Sequence, residues 1–486
     1  MEVCIIGGGF SGIISAKLCK EYNITPTIFE KKPRLGGIWN CLPGQIGTWN
    51  SLTTNTCKLF MAFSDFPWPD SHPDYPTREN VYDYLCQYCD KHDLNQYFKF
   101  NTEVFWVQRS NKGYLVKWKT AERVEEKEFD YVVVASGKYS EETNPFGYAQ
   151  SFKGTIIEGG KYRDPEVFVG KKVVCIGKSS TASDVALEAS QVASDVTQIY
   201  KATSLCLQKY SHGIPYEFFY YRLQELKNPY QIIPSLSQNA EKCRVMISAL
   251  GNPSNILPEW ELTEDYTQSN FVNLYILSED YTNAISQGKI KCLQGEVSHF
   301  YENGLVLTDG RTVEAEVVLL GTGYSTDYSY LSEEILRTVQ YNKQCRLLAC
   351  VLYRSVFHPD LPNLCFVGNY VYGVLSRYEI EAELGIKYMT GRLELSNEEI
   401  WQGIREEEYI RTLNGLKQPY DHFHYVRDLI RVLKKNIDFE FIEEELKFNK
   451  GVLLPQFVFM ENSGIKDLCR QVVEGIKAKY PQFKAN

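Results

Sequence analysis

The stretch VCIIGGGFSGIISAKL, from Val3 to Leu18, decides the fold of this chain. An apolar strand runs directly into Gly7-x-Gly9-x-x-Gly12, and a helical pattern begins at once. Gly7 permits a tight turn, Gly9 lets the backbone approach a pyrophosphate, and Gly12 allows the helix to pack closely on the strand. Because a helix N-terminus attracts negative charge, the pattern predicts a dinucleotide-binding turn.

The residues that follow support this interpretation. TPTIFEKK supplies a second strand that ends at Glu30, about 20 residues further on, where a carboxylate accepts hydrogen bonds from ribose hydroxyls. RLGGIWN then places Gly36 and Gly37 where a flat ring can lie against the backbone. The alternatives are a glycine turn of an unrelated α/β protein and, for the paired glycines, a plain turn.

A second strand-turn-helix signature is VVCIGKSSTASDVA, from Val173 to Ala186. Gly177 still permits the turn, but Ser179 and Ala182 stand at two positions that normally hold glycine. Serine is the smallest polar substitute and its hydroxyl can bond a phosphate oxygen, and alanine is tolerated as the third residue. We therefore expect this turn to hold a nicotinamide cofactor.

The whole chain fits two such units. Its 486 residues exceed the size at which one core stops growing, and strand-like runs alternate with helical patterns, as in doubly wound parallel sheets. The predicted strands are Val3–Ile6, Thr27–Phe29, Tyr131–Ala135, Val173–Ile176, Val317–Leu320 and Cys365–Val367. The predicted fold class is α/β, with two dinucleotide-binding (Rossmann-like) domains.

Charge and cysteine usage exclude some partners and locations. A formal net charge of -9 argues against nucleic acid, whose binding needs clustered lysine and arginine. The fourteen scattered cysteines, with no room for a signal peptide after Met1, predict reduced thiols in the cytoplasm. No apolar run approaches the roughly 20 residues that cross a bilayer, so no transmembrane segment is expected.

SLTTNTCKLFMAFSDFPWPD, from Ser51 to Asp70, resembles the flavin-containing monooxygenase family, in which a Thr-Asn pair precedes a segment that ends in Ser-Asp-Phe-Pro. The resemblance continues in YPTRENVYDYL, in FDYVVVASG ending at Gly137, in the Thr-Gly-Tyr turn of EVVLLGTGYSTDYSYL, and in LYRSVFHPDLPNLCFVG ending at Gly368. It covers nearly the whole chain except the stretch from about residue 204 to 275.

The resemblance implies an enzyme that binds FAD at the first glycine loop and NADPH at the second. The reduced flavin adds oxygen as a hydroperoxide, and a soft nucleophile, an amine nitrogen or a sulfur, takes the distal oxygen. By residue matching, Asn55 is the catalytic residue, since an amide donates to the peroxide without supplying an acidic proton. Without the resemblance, an Asx-turn would be the simpler role for Asn55.

The resemblance also implies which residues contact the cofactors. They are Gly7, Gly9, Phe10, Ser11, Gly12, Glu30, Lys31, Gly37, Ile38, Trp39, Thr54, Asn55, Val104, Ser136, Gly137, Gly177, Ser179, Ser180, Thr181, Ala182, Lys201, Thr322, Gly323 and Gly368. Lys201 replaces the family's arginine, so it offers the NADPH phosphate a charge without the fork of a guanidinium. No metal site is expected.

Two departures from the family bear on the cofactors. Glu158 replaces the histidine of the FxGxxxHxxxY fingerprint, and a carboxylate near the NADPH phosphates would repel them. Glu381 and Glu383 stand where members carry Gln and Arg. A carboxylate there would disfavour the anionic reduced flavin if it lay near the ring, and the alternative is that it faces solvent.

Three other patterns have simpler explanations. Cys86 and Cys89 form a CxxC, but they lie in an amphipathic helix and are expected to pack rather than act as in thioredoxin reductase. The pair His422 and His424 has no further ligands at metal spacing. The aromatic stripe IPYEFFYYRLQEL is expected in the core, with Tyr216 to Tyr221 as candidates for lining a substrate passage.

The expected division is an FAD domain of residues 1–156 and 317–486, the latter with a C-terminal helical region, and an inserted NADPH domain of residues 157–316 with a helical insert at about 204–275. The predicted function is an FAD- and NADPH-dependent monooxygenase acting on a small-molecule substrate and O2. The alternatives are a Baeyer-Villiger-type oxygenase, an uncoupled NADPH oxidase and a non-catalytic FAD-binding component. The sequence allows a homodimer without specifying the oligomeric state.

Overall fold

The computed structural model describes residues 1–147, 151–201, 205–220, 275–345, 348–369, 375–412, 422–445 and 463–481. Two five-stranded sheets, both parallel throughout, organise this part of the chain. The strands are β1 Glu2–Ile6, β2 Thr25–Phe29, β3 Phe98–Lys99, β4 Glu103–Arg109, β5 Tyr114–Lys119, β6 Val124–Phe129, β7 Tyr131–Val134, β8 Glu141–Glu142, β9 Thr155–Glu158, β10 Lys172–Ile176, β11 Asp195–Tyr200, β12 Leu205–Leu207, β13 Tyr210–Ser211, β14 Ile214–Pro215, β15 Tyr275–Leu277, β16 Lys291–Gln294, β17 Val297–Tyr301, β18 Gly304–Leu307, β19 Thr312–Glu314, β20 Val317–Leu320, β21 Tyr324–Ser325 and β22 Leu364–Phe366.

Helices pack on one face of each sheet, while a three-stranded antiparallel sheet, β4-β5-β6 or β17-β18-β19, packs on the other face. Helices also form most of the C-terminal part. They are α1 Phe10–Glu21, α2 Arg78–Lys91, α3 Ser180–Ala189, α4 Glu217–Tyr220, α5 Glu279–Ser286, α6 Glu333–Thr338, α7 Leu375–Met389, α8 Asn397–Thr412, α9 His422–Val432, α10 Phe439–Glu445 and α11 Ser463–Lys479. Within the part of the chain that is described, no helix is long and apolar enough to span a membrane.

The first sheet has the strand order β22-β7-β1-β2-β3. Ile6 at the end of β1 pairs with Phe29 of β2 and Val134 of β7, so the three strands end together. Strands β1 and β7 are almost completely buried because both faces of a parallel sheet are covered. The carboxyl ends of such strands form the edge at which α/β proteins bind ligands.

The second sheet has the strand order β16-β11-β10-β20-β9. All six strands predicted from the apolar runs are present, within two residues of the expected starts and ends. The expected domain boundaries, after residue 156 and before residue 317, fall within β9 and at the start of β20. Val317–Leu320 pairs with β10 and Thr155–Glu158 pairs with Val317–Leu320, so both strands belong to the second sheet.

The largest core cluster joins one face of the first sheet to α1, α2 and the C-terminal helices. Cys86 and Cys89 lie in α2 as free thiols, and Cys89 is completely buried, so the packing interpretation of the CxxC is confirmed. Tyr216 and Phe218 are 2% and 0% exposed and belong to the protein interior. Most of the predicted insert, including Tyr221, and the side chains of His422 and His424 lie outside the described residues.

Candidate functional site

The first glycine loop has the geometry that its sequence requires. Gly7 has a φ of +112°, and a Cβ added there would lie 2.4 Å from the carbonyl oxygen of Ala135. A Cβ on Gly12 would lie 1.9 Å from the carbonyl oxygen of Gly7. The turn is therefore left-handed at its start and closely packed at its end, and glycine is required at both positions.

Gly9 and Gly37 form a cradle of bare backbone beside the start of α1. A Cβ on Gly37 would lie 3.2 Å from Gly9 Cα, so no side chain separates the two backbones. Gly9 is the N-cap residue of α1, and the first turn of this helix carries no acidic side chain. The cradle and the helix N-terminus fit the pyrophosphate of FAD.

Glu30 directly follows β2 at the edge of the same cradle and is 5% exposed. Its carboxylate accepts hydrogen bonds from the backbone N–H of Gly8 and of Lys32, each at 2.8 Å. These two donors fix the carboxylate beside the turn and leave it with free lone pairs for ribose hydroxyls. The predicted Lys31 points to solvent, since it is exposed.

Lys32, which the sequence interpretation missed, holds the cradle in place. Its ammonium donates to the carbonyl oxygens of Gly37 at 2.9 Å and Ile46 at 3.2 Å. Two adjacent lysines, Lys31 and Lys32, follow Glu30. Lys31 is exposed, whereas Lys32 is buried. Both lysines lie in a bend beyond the end of β2, so the pair of lysines next to Glu30 was the available signal.

The remaining residues predicted for FAD fall into two groups. At the cradle, the ring of Phe10 packs with Trp39 and Tyr378, each at a centroid distance of 6.4 Å, while Ile38 follows Gly37 in a short 3-10 turn. A Cβ on Gly368 would lie 2.4 Å from Ser11 Oγ, which brings the end of β22 against α1.

The second group lies further along the edge of the sheet. Ser136 Oγ is 2.8 Å from the Tyr330 hydroxyl, and Gly137, with a φ of +83°, has open space where a Cβ would stand. Val104 is 7% exposed and belongs to the core cluster that contains Phe29. The side chain of Val104 is therefore used in packing rather than offered to a cofactor.

The second glycine loop repeats this geometry with a substitution. Gly177 has a φ of +117°, and a Cβ there would lie 2.3 Å from the carbonyl oxygen of Gly321. Ala182 occupies the third position of the fingerprint and is fully buried. A Cβ on Gly321 would lie 2.5 Å from Ala182 Cβ, so Gly321 supplies the space that Ala182 needs. Gly321 was missed although it lies in the quoted LLGTGY motif.

Ser179 is the N-cap residue of α3, and its side chain makes no capping hydrogen bond. Ser180 and Thr181 follow in the first turn, which contains no acidic residue. Hydroxyl groups and unpaired backbone donors at a helix N-terminus fit a pyrophosphate. These observations support the prediction that the altered loop holds NADPH.

Lys201 follows the end of β11, where the NADPH phosphate was expected. Its exposed ammonium forms an ion pair with Glu296, so its charge is partly neutralised. Lys178, which the sequence interpretation did not consider, is 6% exposed and lies 4.2 Å from the ring centroid of Tyr200. Its position inside the glycine loop was the signal that could have identified this second cation.

Glu158 lies at the end of β9, next to the second glycine loop, because a Cβ on Gly159 would lie 3.2 Å from Thr181 Cγ2. Its carboxylate pairs with Lys161. Burial and the nearby Glu158 raise the pKa of Glu142 to about 7, so these two carboxylates do not both carry full charge at neutral pH. The repulsion expected at Glu158 is thus reduced by its ion pair with Lys161 and by the partial protonation of the neighbouring Glu142.

Glu381 is completely buried in α7, so the interpretation that it faces solvent is wrong. It accepts hydrogen bonds from the Gly368 N–H at 2.7 Å and from the Tyr425 hydroxyl at 2.9 Å, and it lies 3.6 Å from Arg377. Glu383 pairs with Lys387 at 3.0 Å and with Lys435 at 2.9 Å. A buried carboxylate needs such partners. The spacing of Glu381 and Glu383 along the helix could not predict which residues these partners are.

Thr322 and Gly323 form a strap rather than part of a glycine loop. The Thr322 hydroxyl donates to the carbonyl oxygen of Thr143, and the Thr143 N–H donates to the Gly323 carbonyl oxygen at 2.9 Å. These bonds tie the chain after β20 to the chain that follows Gly137. Thr322 and Gly323 therefore connect the end of β20 in the second sheet to the chain that follows β7 of the first sheet.

Asn55 lies in an exposed bend, and its side chain has no hydrogen bond to any residue that the structure describes. Thr54, which is 2% exposed, forms the local turn instead, because its hydroxyl donates to the carbonyl oxygen of Thr56 at 2.8 Å. Among the described residues, no backbone N–H donates to the side chain of Asn55, so the Asx-turn that was its alternative role is not formed there. The amide of Asn55 stays available to a ligand.

The segment that leads to Asn55 touches both glycine-loop units. The Thr48 N–H donates to the carbonyl oxygen of Ile38 at 3.1 Å, beside the first cradle. The Gly47 and Asn50 N–H groups donate to Gly160 and Arg163, each at 3.0 Å, just beyond β9 of the second sheet. The chain thus crosses from one unit to the other immediately before it presents Asn55.

Comparison with known proteins agrees with this arrangement. A sequence profile described as flavin-binding monooxygenase-like matches residues 1–439. The N-oxide-forming dimethylaniline monooxygenase 4 of Mus musculus is 29% identical over 376 residues, which cover 74% of this chain and 64% of that protein. Its counterpart in Rattus norvegicus is 27% identical over 471 residues, or 91% of this chain and 80% of that protein.

The fold is shared with solved structures. The S-allyl-L-cysteine S-oxygenase from Allium sativum superposes with a TM-score of 0.65 at 19% identity, covering 99% of this chain and 98% of that one. This likeness confirms the predicted α/β class with two dinucleotide-binding domains. The profile match, which spans nearly the whole chain, makes it a monooxygenase of the oxidoreductase class with FAD and NADPH as cofactors. The chain belongs to the flavin-binding monooxygenase-like family.

Proposed function

We propose that this chain transfers one oxygen atom from O2 to a soft nucleophile, an amine nitrogen or a sulfur, in the space between its two glycine loops. FAD supplies the activation of oxygen, with NADPH as the source of hydride. For a thioether, NADPH, a proton, O2 and the substrate give NADP⁺, water and the sulfoxide. The observation that carries the proposal is the position of Asn55, directly after a segment bonded to both units.

The residues of each loop have separate roles in this proposal. The cradle of Gly9 and Gly37 holds the pyrophosphate of FAD, and Glu30 accepts from its ribose. The turn at Gly177, with the hydroxyl of Ser179, holds the pyrophosphate of NADPH. Lys201 contributes charge toward the phosphate that distinguishes NADPH from NADH.

Asn55 has the role of a hydrogen-bond donor to the activated oxygen. A carboxamide donates through its NH2 group and does not release a proton at physiological pH. A donor fixed in a site that excludes water stabilises developing negative charge without promoting the loss of hydrogen peroxide. The amide of Asn55, which is exposed and has no hydrogen bond within the described ranges, supports this assignment.

Strand pairing also supports a revised domain division. We propose an NADPH unit of about residues 155–320, limited by β9 and β20, inserted into an FAD unit formed by the rest of the chain. We also propose a cytoplasmic location, supported by thirteen cysteines in the described ranges that are all free thiols. A homodimer is proposed as well, and light scattering would measure the mass directly.

The test compares Asn55→Ala with Asn303→Ala, a change of an exposed asparagine in the turn between β17 and β18. FAD content, NADPH consumption, hydrogen peroxide and oxygenated product are measured with methyl phenyl sulfide and with N,N-dimethylaniline. Asn55→Ala is expected to keep FAD but release most of its oxygen as peroxide, while Asn303→Ala retains product formation. If Asn55→Ala formed as much product per NADPH consumed as wild type (unchanged coupling), Asn55 would have no part in the mechanism.

The same measurements separate the alternative functions. Conversion of cyclohexanone to its lactone, without oxygenation of the amine or thioether, would indicate a Baeyer-Villiger enzyme. Peroxide equal to NADPH consumed with every substrate would indicate an oxidase. Bound FAD that NADPH fails to reduce would indicate a component without this catalysis.

A further inference from the structure

The stretch from Lys209 to Phe218 packs against the segment that presents Asn55. Phe218 is fully buried, and its ring meets that of Phe60 edge to face at a centroid distance of 5.8 Å. Glu217, the neighbour of Phe218, is also completely buried. An acid in this position needs a structural reason, because a buried carboxyl group without partners is costly.

Two side chains from this stretch flank Asn55. On one side, the Lys209 ammonium donates to Thr53 Oγ1 at 2.8 Å and to the Thr54 carbonyl oxygen at 3.1 Å. On the other side, the Cys57 N–H donates to Glu217 Oε1 at 2.6 Å. The chain from Thr53 to Cys57 is therefore held at both ends, and Asn55 lies between the two contacts.

The hydrogen bonds of Tyr75 show which protonation state of Glu217 fits. The Tyr75 hydroxyl lies 2.6 Å from the Lys209 carbonyl oxygen and 3.0 Å from Glu217 Oε2. A hydroxyl has one proton, and a carbonyl oxygen can only accept. Donation to the nearer carbonyl leaves the Tyr75 oxygen as an acceptor, so all three groups are satisfied when Glu217 carries a proton and donates it to Tyr75.

We propose that Glu217, as the neutral acid, is a positioning residue that holds the segment Thr53–Cys57, and with it Asn55, through its hydrogen bonds to Cys57 and Tyr75. Glu217 touches no reacting atom. It acts through the backbone of Cys57, and its effect on oxygen transfer therefore rests on the proposed role of Asn55.

The surroundings of Glu217 favour the neutral form. Among the described residues no cation is within ion-pair distance of its carboxyl group, and burial raises the pKa of Glu217 to about 8. Burial also raises the pKa of Cys57 and of Tyr75, so both stay protonated in this range, while burial lowers the pKa of Lys209. The titratable groups that interact with Glu217 are Cys57, Tyr75, Lys209 and Tyr210. Asp74 and Lys479 lie one step further out, beside Cys57, and Asp184 and Asp280 face Lys209.

The expected pH dependence follows from this pKa. A group with a pKa of about 8 is about nine-tenths protonated at pH 7 and about one-tenth protonated at pH 9. Above pH 8 the carboxylate can no longer donate to Tyr75, and the Tyr75 proton must leave the Lys209 carbonyl oxygen. The hydrogen bonds from Cys57 to Glu217 and from Tyr75 to the Lys209 carbonyl oxygen then rearrange. The amount of product formed per NADPH consumed is therefore expected to fall.

The experiment uses the FAD-loaded enzyme and compares wild type with Glu217→Gln and Glu217→Ala between pH 6.5 and 9.5. Glutamine is isosteric with the neutral acid, since its oxygen accepts from Cys57 and its NH2 donates to Tyr75. Glu217→Gln should retain wild-type coupling at pH 7 and lose the decrease near pH 8. Glu217→Ala should be uncoupled at every pH, with the substrate KM changed less than the coupling.

A matched control is Glu407→Gln. Glu407 is equally buried, and burial raises its pKa to about 7, but it binds Leu352 and Ser355 in the C-terminal part of the chain. Glu407→Gln should leave the coupling profile of wild type in place. If Glu217→Gln shows the same pH profile as wild type, or if Glu217→Ala stays coupled, the proposal is overturned.

The double variant Glu217→Ala/Asn55→Ala separates this proposal from the one on which it rests. If Glu217 acts through Asn55, the double variant should be no more uncoupled than Asn55→Ala alone. Additive effects would contradict action through Asn55. If Asn55→Ala stays coupled while Glu217→Ala does not, the role of Asn55 fails and Glu217 acts on another group of the site.

Discussion

Gly321 and Ala182 form a complementary pair at the second glycine loop, since a Cβ on Gly321 would lie only 2.5 Å from Ala182 Cβ. The loop tolerates alanine at its third position because the facing strand end has no side chain. The missing glycine of the fingerprint is thus compensated across the sheet, at the turn after β20. This pairing explains how an altered fingerprint keeps the geometry of a dinucleotide-binding turn.

The first prediction concerns this pair. Gly321→Ala should overpack the turn at a cost of about 1–3 kcal/mol, and the dissociation constant for NADPH should rise roughly tenfold or more. FAD content should not change, because the first cradle lies in the other sheet. Titration with NADPH under anaerobic conditions measures the effect. Wild-type affinity in Gly321→Ala would show that the contact does not shape the loop.

A matched pair of glycines tests the first cradle. Gly37 and Gly44 both have positive φ, +58° and +71°, but only a Cβ on Gly37 meets the opposite backbone, since nothing lies within 4 Å of a Cβ on Gly44. Gly37→Ala should therefore purify with much less FAD than Gly44→Ala, although both carry similar backbone strain. Flavin absorbance per protein measures retention. Equal FAD content in the two variants would argue against the Gly9 and Gly37 cradle.

Lys201 provides a prediction on cofactor choice. Lys201→Ala should raise KM for NADPH by about tenfold and change KM for NADH little, because a charge-assisted bond to the extra phosphate is lost. Glu296→Gln removes the competing carboxylate and should improve the preference for NADPH. Equal losses for NADPH and NADH in Lys201→Ala would contradict a contact with the phosphate.

The raised pKa of Glu142 predicts that NADPH binding depends on pH. This effect is separate from the ratio of product formed to NADPH consumed. Its pKa is raised by burial and by Glu158 to about 7, so negative charge accumulates beside the second loop as pH rises through 7. KM for NADPH should therefore increase between pH 6 and 8, and Glu142→Gln should flatten this increase. Parallel profiles for the variant and wild type would exclude the carboxylate pair as the cause.

Local patterns predicted the elements of the fold, but not all of their partners. The strand Val317–Leu320 was found from its apolar run, yet it was assigned to the first sheet and pairs in the second. A fully buried parallel strand has the same continuous apolar sequence in either sheet. Its burial pattern therefore does not indicate which strands are its neighbours. Strand pairing is a long-range property that one segment of sequence does not contain.

In the site, too, local sequence patterns predicted residues but not their long-range partners. The positions of Gly7, Gly9 and Gly12 follow from backbone geometry and were predicted from their spacing. The contacts of Glu217 with Cys57 and Tyr75 join residues 160 and 142 positions apart, and no local pattern indicated them. The partners of Glu381 were equally hidden, because burial of a helix face depends on what packs against it.

The measurement that tests the central claim most directly is a single turnover with labelled oxygen. Purified enzyme loaded with FAD is reduced anaerobically with one equivalent of NADPH, and then mixed with ¹⁸O₂ and methyl phenyl sulfide. The account predicts loss of the oxidised flavin absorbance on reduction, followed by sulfoxide that carries one ¹⁸O atom for each NADPH consumed. Flavin that NADPH does not reduce, or labelled hydrogen peroxide in place of labelled sulfoxide, would contradict it.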